Sequence, residues 1–64
     1  MNFSKNLKEL RVKKRLTQEE LAEKLNVSLE TIRRYEQDRA QPQKLSILEQ
    51  LTIILECDYN ALLK

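Results

Sequence analysis

The sequence predicts an all-α domain of five short helices, and three observations lead to that prediction. Residues that favour helix starts recur along the chain, at Thr17, Ser28 and Asp58. Apolar residues recur at helical rather than alternating spacing. Runs rich in β-branched and aromatic residues, which would predict strands, are absent. We therefore expect helices over about 3–15, 18–25, 29–37, 44–55 and 59–63.

The first helix is predicted from one apolar stripe. Phe3, Leu7 and Leu10 recur at helical spacing, with Arg11 on the same face and lysines on the others. The second helix is predicted from its start. Thr17 and Glu20 have the spacing of a capping box, in which each side chain binds the other residue's backbone N–H.

The third helix follows the second after a very short joint. The chain must reverse within Asn26 and Val27 before Ser28 caps the next helix. Such a reversal usually needs one residue in the left-handed conformation, and asparagine tolerates it best after glycine, so we expect Asn26 to adopt it. Two helices crossing at about 90–120° through so short a turn form a helix-turn-helix, here over about 18–37.

The last two helices follow Pro42, which prevents the preceding segment from continuing as a helix. Asp58 caps the final helix, between the apolar residues Cys57 and Leu62. The apolar stripe of the fourth helix consists of Leu45, Leu48, Leu51, Thr52 and Leu55.

Length and composition exclude several classes of function. A chain of 64 residues forms one domain, residues 1–64, with a small core. With one cysteine and no histidine, it has no intramolecular disulfide, no Ser-His-Asp arrangement and no Cys/His zinc site. No apolar run is long enough to span a bilayer. We expect a cytoplasmic, non-enzymatic protein without metal, cofactor, small-molecule substrate or membrane partner.

The net charge of +2 is small, but the charges are unevenly distributed. Half of the twelve lysines and arginines lie before Leu16, where Glu9 is the one acidic residue, and arginines recur in the third helix and the loop after it. A domain that contacts phosphate with one face needs positive charge only on that face. An ordinary solvated helix surface has similar charge runs, so the charge pattern alone does not decide the function.

The segment "TQEELAEKLNVSLETIRRYE", the proline of "QP" and the segment "LEQLTIILECDYNALL" resemble the phage-repressor-type (Cro/cI-type, XRE) helix-turn-helix family. Small Ala22, the apolar positions, Gln18 and the Tyr35-Glu36 pair fall in register with that family. The resemblance implies a compact five-helix, lambda-repressor-like DNA-binding domain. Family members often have glycine after the second, third and fourth helices, where this chain has Asn26, Asp38 and Glu56.

The resemblance also implies roles for individual residues. Helix 29–37 should enter the major groove, where Arg can pair with guanine, Glu with cytosine and an apolar side chain with the thymine methyl. Base readout maps to Leu29, Glu30, Arg33 and Arg34; phosphate contacts map to Thr17, Gln18, Ser28, Arg39 and Lys44. Arg11 and Glu36 should form a partly buried structural ion pair. Lys13, Lys14 and Arg15 form a weaker group suited to long-range steering.

Simpler interpretations remain for several of these residues. Glu30 with Arg33 or Arg34 has the spacing of ordinary surface ion pairs. Cys57 could be a redox sensor, although a small buried hydrophobe is the commoner role of a free cysteine. Some of the apolar residues Ile47, Ile53, Tyr59 and Leu63 could form a two-fold interface through the C-terminal helices.

Taken with the resemblance, these features predict a sequence-specific regulator of double-stranded DNA, repressor-like, binding a near-palindromic operator as a homodimer. The alternative is a protein-interaction module, such as an antitoxin-like partner, that keeps the fold without reading DNA. The exposed face of the third helix discriminates between them. Arg33 and Arg34 there favour DNA, whereas an acidic or apolar face would have favoured a protein partner.

Overall fold

A computed structural model of the chain describes residues 2–64 and confirms the all-α prediction. No strand occurs in that range. The helices are α1 (Phe3–Lys13), α2 (Gln18–Leu25), α3 (Leu29–Glu36), α4 (Leu45–Leu55) and α5 (Tyr59–Leu63).

The predicted helix starts are present. The Thr17 hydroxyl accepts a hydrogen bond from the Glu20 backbone N–H at 3.0 Å, and the Glu20 carboxylate accepts one from the Thr17 N–H at 2.8 Å. The Ser28 hydroxyl and the Asp58 carboxylate cap α3 and α5 by accepting from the backbone N–H three residues later, without the reciprocal bond. Each cap satisfies a backbone donor that the helix itself leaves free.

The core lies where all five helices meet. Helix α1 packs against α3 and α5, α2 packs against α3 and α4, and α4 packs against α5. Phe3 and Tyr35 meet edge to face, with ring centroids 5.8 Å apart, and join α1 to α3. Small Ala22 is buried on α2, as expected for the crossing with α3. The other buried core residues are Leu7, Leu21, Leu25, Ile32, Leu51, Leu55 and Leu62.

The prediction that Leu45 belongs to the apolar stripe of α4 is wrong. Leu45 is 65% exposed because it is the first residue of the helix and lies beyond the core. The ends of the chain are held together elsewhere. The Asn6 side-chain amide donates to the Leu62 carbonyl at 3.0 Å and the Asn2 amide to the Lys64 carbonyl at 3.2 Å.

Among residues 2–64, four residues have left-handed backbone. Asn26 (φ 61°) confirms the prediction for the helix-turn-helix joint, and Asp38 (φ 61°) and Glu56 (φ 52°) occupy places where the family often has glycine. Arg15 (φ 58°) was not foreseen. It explains why α1 ends at Lys13 and not at residue 15, because a left-handed residue cannot continue a right-handed helix.

Replacing Glu56 with glycine should stabilise the fold. Glu56 is the residue immediately after α4, and a left-handed conformation costs a side chain with a Cβ roughly 1 kcal/mol more than it costs glycine. Glu56 also pairs with Lys14, so the substitution loses one exposed ion pair. We expect a net rise in the midpoint of thermal unfolding. The same substitution in a Lys14→Ala background should give the full backbone gain. A lower midpoint of thermal unfolding in both backgrounds would contradict the expected backbone strain at Glu56.

Candidate nucleic-acid interface

Helix α3 has one buried and one exposed face. Ile32 and Tyr35 are buried, and burial raises the pKa of the Tyr35 phenol. The opposite face exposes Glu30, Arg33 and Arg34. This separation follows from helical spacing, since residues three and four apart share a face.

Leu29 differs from the sequence prediction. A base reader on the outer face of α3 should be exposed, but Leu29 is half-buried at the start of the helix. It lines a shallow groove with Ala22 and Val27, between Glu19 and Glu23 of α2. Helical side chains lean towards the N-terminus of their helix, which here directs Leu29 back over the turn. Leu29 therefore has a packing role in addition to any contact with a ligand.

Glu30 and Arg34 form an ion pair on the exposed face. The Arg34 Nε donates to the Glu30 Oε2 at 3.3 Å, one helical turn away, and both side chains are 60% exposed. This is the surface pair that the sequence spacing allowed. Arg33, the neighbouring exposed cation, makes no ion pair with any residue in the range 2–64.

A buried polar network links α1, α2 and α3. The Arg11 Nε donates to the Glu36 Oε2 at 2.6 Å, and the Arg11 Nη2 donates to the Glu36 Oε1 at 3.1 Å. The Arg11 Nη1 donates to the Leu16 carbonyl at 2.8 Å. Only 11% of the Arg11 side chain and 4% of the Glu36 side chain are exposed. The geometry agrees with the bridge that the family resemblance implies.

Gln18 belongs to the same network, which the sequence analysis did not foresee. Its Nε2 donates to the Glu36 Oε1 at 3.0 Å, so the carboxylate of α3 holds the first side chain of α2. One amide hydrogen of Gln18 remains for another acceptor. Beside it, the first backbone N–H groups of α2 have no acceptor within the helix, and the helix dipole favours an anion there.

The other residues assigned to phosphate are placed as follows. The Ser28 hydroxyl lies 2.9 Å from the Thr31 hydroxyl, in addition to its capping bond. Arg39 is exposed in the loop before α4, and Lys44 is exposed immediately before that helix. Lys44 lines a groove together with Thr31 and Arg34 of α3. The tertiary structure thus brings a residue assigned to phosphate beside one assigned to base readout.

The proposed steering group is altered by a contact. Lys14 forms an ion pair with Glu56, so its charge is partly offset by a carboxylate from the other end of the chain. Lys13 and Arg15 remain exposed. The sequence contained both partners, but their separation along the chain gives no local signal of the pairing.

Cys57 is half-buried and packs against the core. Burial, and secondarily the charge of Asp58, raise the pKa of its thiol, which disfavours the reactive thiolate. This environment fits the structural interpretation better than the redox one. Within residues 2–64 no acidic or cysteine side chains cluster as metal ligands would. No helix of the same range combines the length and apolar character needed to cross a bilayer.

Comparison with known proteins agrees with this geometry. A family model described as helix-turn-helix matches residues 7–59, which includes α1 to α4 apart from the first residues of α1. No curated protein and no solved structure matches the chain. The matched region contains the tight α2–α3 joint, the exposed cationic face of α3 and the Arg11–Glu36 bridge. The chain belongs to the phage-repressor-type (Cro/cI-type, XRE) helix-turn-helix family of DNA-binding regulatory domains.

Proposed function

We propose that the protein is a sequence-specific, repressor-like transcription regulator that reads the major groove of double-stranded DNA with α3. The observation that carries this proposal is the shared groove of Arg34 and Lys44. The cation that we assign to base readout and the one that we assign to phosphate both line this groove, which supports an interface that combines specificity with positioning. The proposal includes a cytoplasmic location and no catalytic activity.

Each proposed contact has a distinct task. Arg33 and Arg34 are exposed and have donors that match guanine O6 and N7. Gln18, Thr17 and the free N–H groups at the start of α2 suit one phosphate, and Ser28 caps α3 close by in the chain. Arg39 and Lys44, in the segment between α3 and α4, suit further phosphates. Binding-site selection on random duplexes tests the proposal directly, and recovery of no sequence preference would contradict it.

The exposed residues of α3 also bear on the alternative function. An antitoxin-like partner protein would be favoured by an apolar or acidic exposed face. Instead, two arginines are exposed there with a single carboxylate, Glu30, and the one leucine is half-buried. This composition supports DNA as the ligand of α3.

Affinity for DNA should fall as salt concentration rises. Cations and helix N-termini that neutralise phosphates release counterions, so log K should fall linearly with log salt, with a slope of about −0.9 per phosphate contacted. Replacing Lys44 with alanine should reduce the magnitude of the slope by about one such unit. Replacing Lys5, an exposed cation near the start of α1, serves as the control and should leave the slope unchanged. An affinity that does not depend on salt would contradict phosphate binding.

We further propose that the protein binds a near-palindromic operator as a homodimer. Helix α3 has eight residues and is about 12 Å long, which is enough to read only a few base pairs. Two copies related by a two-fold axis double the readout and require half-sites about 34 Å apart. Of the four apolar residues suggested for the interface, Ile53 is 74% and Tyr59 is 41% exposed, whereas Ile47 and Leu63 pack partly against the core.

Replacing Ile53 with lysine should weaken dimerisation without unfolding the domain. The side chain is mostly exposed in the monomer, so the substitution costs little there, but it would place two like charges near the two-fold axis. In sedimentation with the operator, we expect the Ile53→Lys variant to bind as a monomer at concentrations where the wild type binds as a dimer. Val12→Lys is the matched control, because Val12 is 56% exposed on α1. Equal effects of the two substitutions would place the interface elsewhere.

A further inference from the structure

Glu30 and Arg34 pair with each other although both are assigned to base readout. The Arg34 Nε donates to the Glu30 Oε2 at 3.3 Å, and this is the only hydrogen bond of the Arg34 guanidinium within residues 2–64. Each side chain is 60% exposed, so the pair adds little to folding stability. The main effect of the ion pair is to orient the guanidinium and the carboxylate.

The pair leaves the guanidinium suited to one task. A guanidinium has five N–H donors in a rigid plane, one on Nε and two on each Nη. Because Glu30 accepts from Nε, the Nη1 and Nη2 groups remain free at the end of the side chain. Their two outward N–H bonds are parallel, which matches the O6 and N7 acceptors of guanine. Arg33 has the same chemistry but no ion-pair partner within the described residues, so its side chain is less constrained.

The carboxylate also restricts what Glu30 itself can do. To read cytosine, a Glu30 oxygen must face the base and accept from its N4 amino group. The Oε2 atom accepts from Arg34, so the carboxylate is turned along the helix towards that residue, and only Oε1 is left without a partner within residues 2–64. A negative charge at this surface opposes the phosphate backbone, so Glu30 lowers affinity for all sequences alike. By occupying Nε, it also disfavours a collapse of Arg34 onto a phosphate, where the arginine would carry no sequence information.

We propose that Glu30 is a positioning residue that holds Arg34 for guanine, so that the pair reads one G·C base pair in each half-site as a unit. The inference rests on the DNA-binding function proposed above. It changes the role of Glu30 from a reader of cytosine to the residue that sets the selectivity of Arg34. In this role Glu30 lowers the affinity for every DNA sequence and raises the discrimination between base pairs at the Arg34 position.

The test is a binding matrix on the operator selected by the wild-type protein. Wild type, Glu30→Ala, Arg34→Ala and the double variant are titrated with the operator, with every single-base change and with a non-specific duplex, at one salt concentration. A bidentate arginine gives roughly a 5- to 150-fold preference for its guanine. Arg34→Ala should abolish that preference. Glu30→Ala should reduce the preference for guanine about tenfold, so that a small wild-type preference is almost lost. The affinity of Glu30→Ala for the non-specific duplex should equal or exceed that of the wild type.

Four controls separate a positioning role of Glu30 from the effects of charge and of folding. Glu30→Gln retains an acceptor oxygen without the charge and should restore part of the preference. Glu19→Ala removes an exposed carboxylate at the start of α2 and should change all affinities by one common factor. In the Arg34→Ala background, Glu30→Ala should not alter the preference further. Thermal unfolding of the Glu30 variants should match that of the wild type.

The outcomes distinguish the inference from the proposed function. If the wild type selects no sequence, the DNA-reading function fails and the inference fails with it. If the wild type selects an operator but Glu30→Ala keeps the wild-type preference at the Arg34 base pair, only the inference is overturned. A loss of preference at a different base pair would show that Glu30 reads a base directly, which also overturns it.

Discussion

Replacing Arg11 with alanine should destabilise the protein by about 3–5 kcal/mol, as expected when one partner of a buried ion pair is removed. The Glu36 side chain, 4% exposed, would then have Gln18 as its only side-chain donor within residues 2–64. The Leu16 carbonyl would also lose its Arg11 donor. In a domain of this size each kcal/mol corresponds to about 4–8 °C in the midpoint of thermal unfolding. Thermal and urea unfolding followed by circular dichroism measure the loss.

The matched control for Arg11→Ala is Lys14→Ala. Lys14 also pairs with a glutamate from a distant part of the chain, but that pair is on the surface, with the Glu56 side chain 71% exposed. Exposed pairs contribute between about 0 and 1 kcal/mol, so Lys14→Ala should barely move the transition. If the two variants unfold at the same temperature, water reaches the Arg11–Glu36 pair and its burial is not as described.

A double variant tests the physical origin of that loss. Replacing Arg11 with methionine and Glu36 with leucine removes both charges and keeps similar volumes. Buried ion pairs replaced by apolar residues often lose no stability, so the double variant should be more stable than Arg11→Ala alone. Recovery should be incomplete, because Gln18 and the Leu16 carbonyl both lose a partner. A double variant less stable than Arg11→Ala would indicate that the pair contributes through more than mutual compensation.

Replacing Arg34 with alanine should reduce the binding free energy by about 1–3 kcal/mol through one base pair in each half-site. On an operator in which that base pair has been changed, the same substitution should have almost no effect. Arg34 is exposed on α3 and lies away from the core, so the folded structure should remain intact. Competition binding against single-base operator variants measures the effect. If Arg34→Ala lowers every affinity by the same factor, Arg34 contacts only phosphate and is not a base reader.

Gln18→Ala is the comparison for Arg34→Ala, because Gln18 is assigned to phosphate and Arg34 to a base. A phosphate contact positions the protein without reading sequence, so all duplexes should be weakened alike. Gln18 also hydrogen-bonds Glu36, and its loss will cost some stability. Binding should therefore be measured well below the unfolding temperature of this variant, with circular dichroism as the check on folding.

Much of the fold was predictable from the sequence because its strongest signals act locally. The caps at Thr17, Ser28 and Asp58 bind donors only three residues ahead, and all three are present. Asn26 adopts the left-handed conformation that so short a joint requires. In each case residue type and spacing within about one helical turn specify the conformation. The left-handed backbone at Arg15 has no such signal, because arginine has no particular tendency to adopt it.

The candidate site was predictable only in part. That α3 exposes Glu30, Arg33 and Arg34 follows from periodicity, whereas the Arg11–Glu36 pairing came from the family resemblance and not from spacing. The hydrogen bond from Gln18 to Glu36, the pairing of Lys14 with Glu56 and the half-buried position of Leu29 were decided by tertiary structure. The reason is physical: a capping side chain meets its donor within one turn, but a long charged side chain pairs with whichever group the packed helices bring within reach.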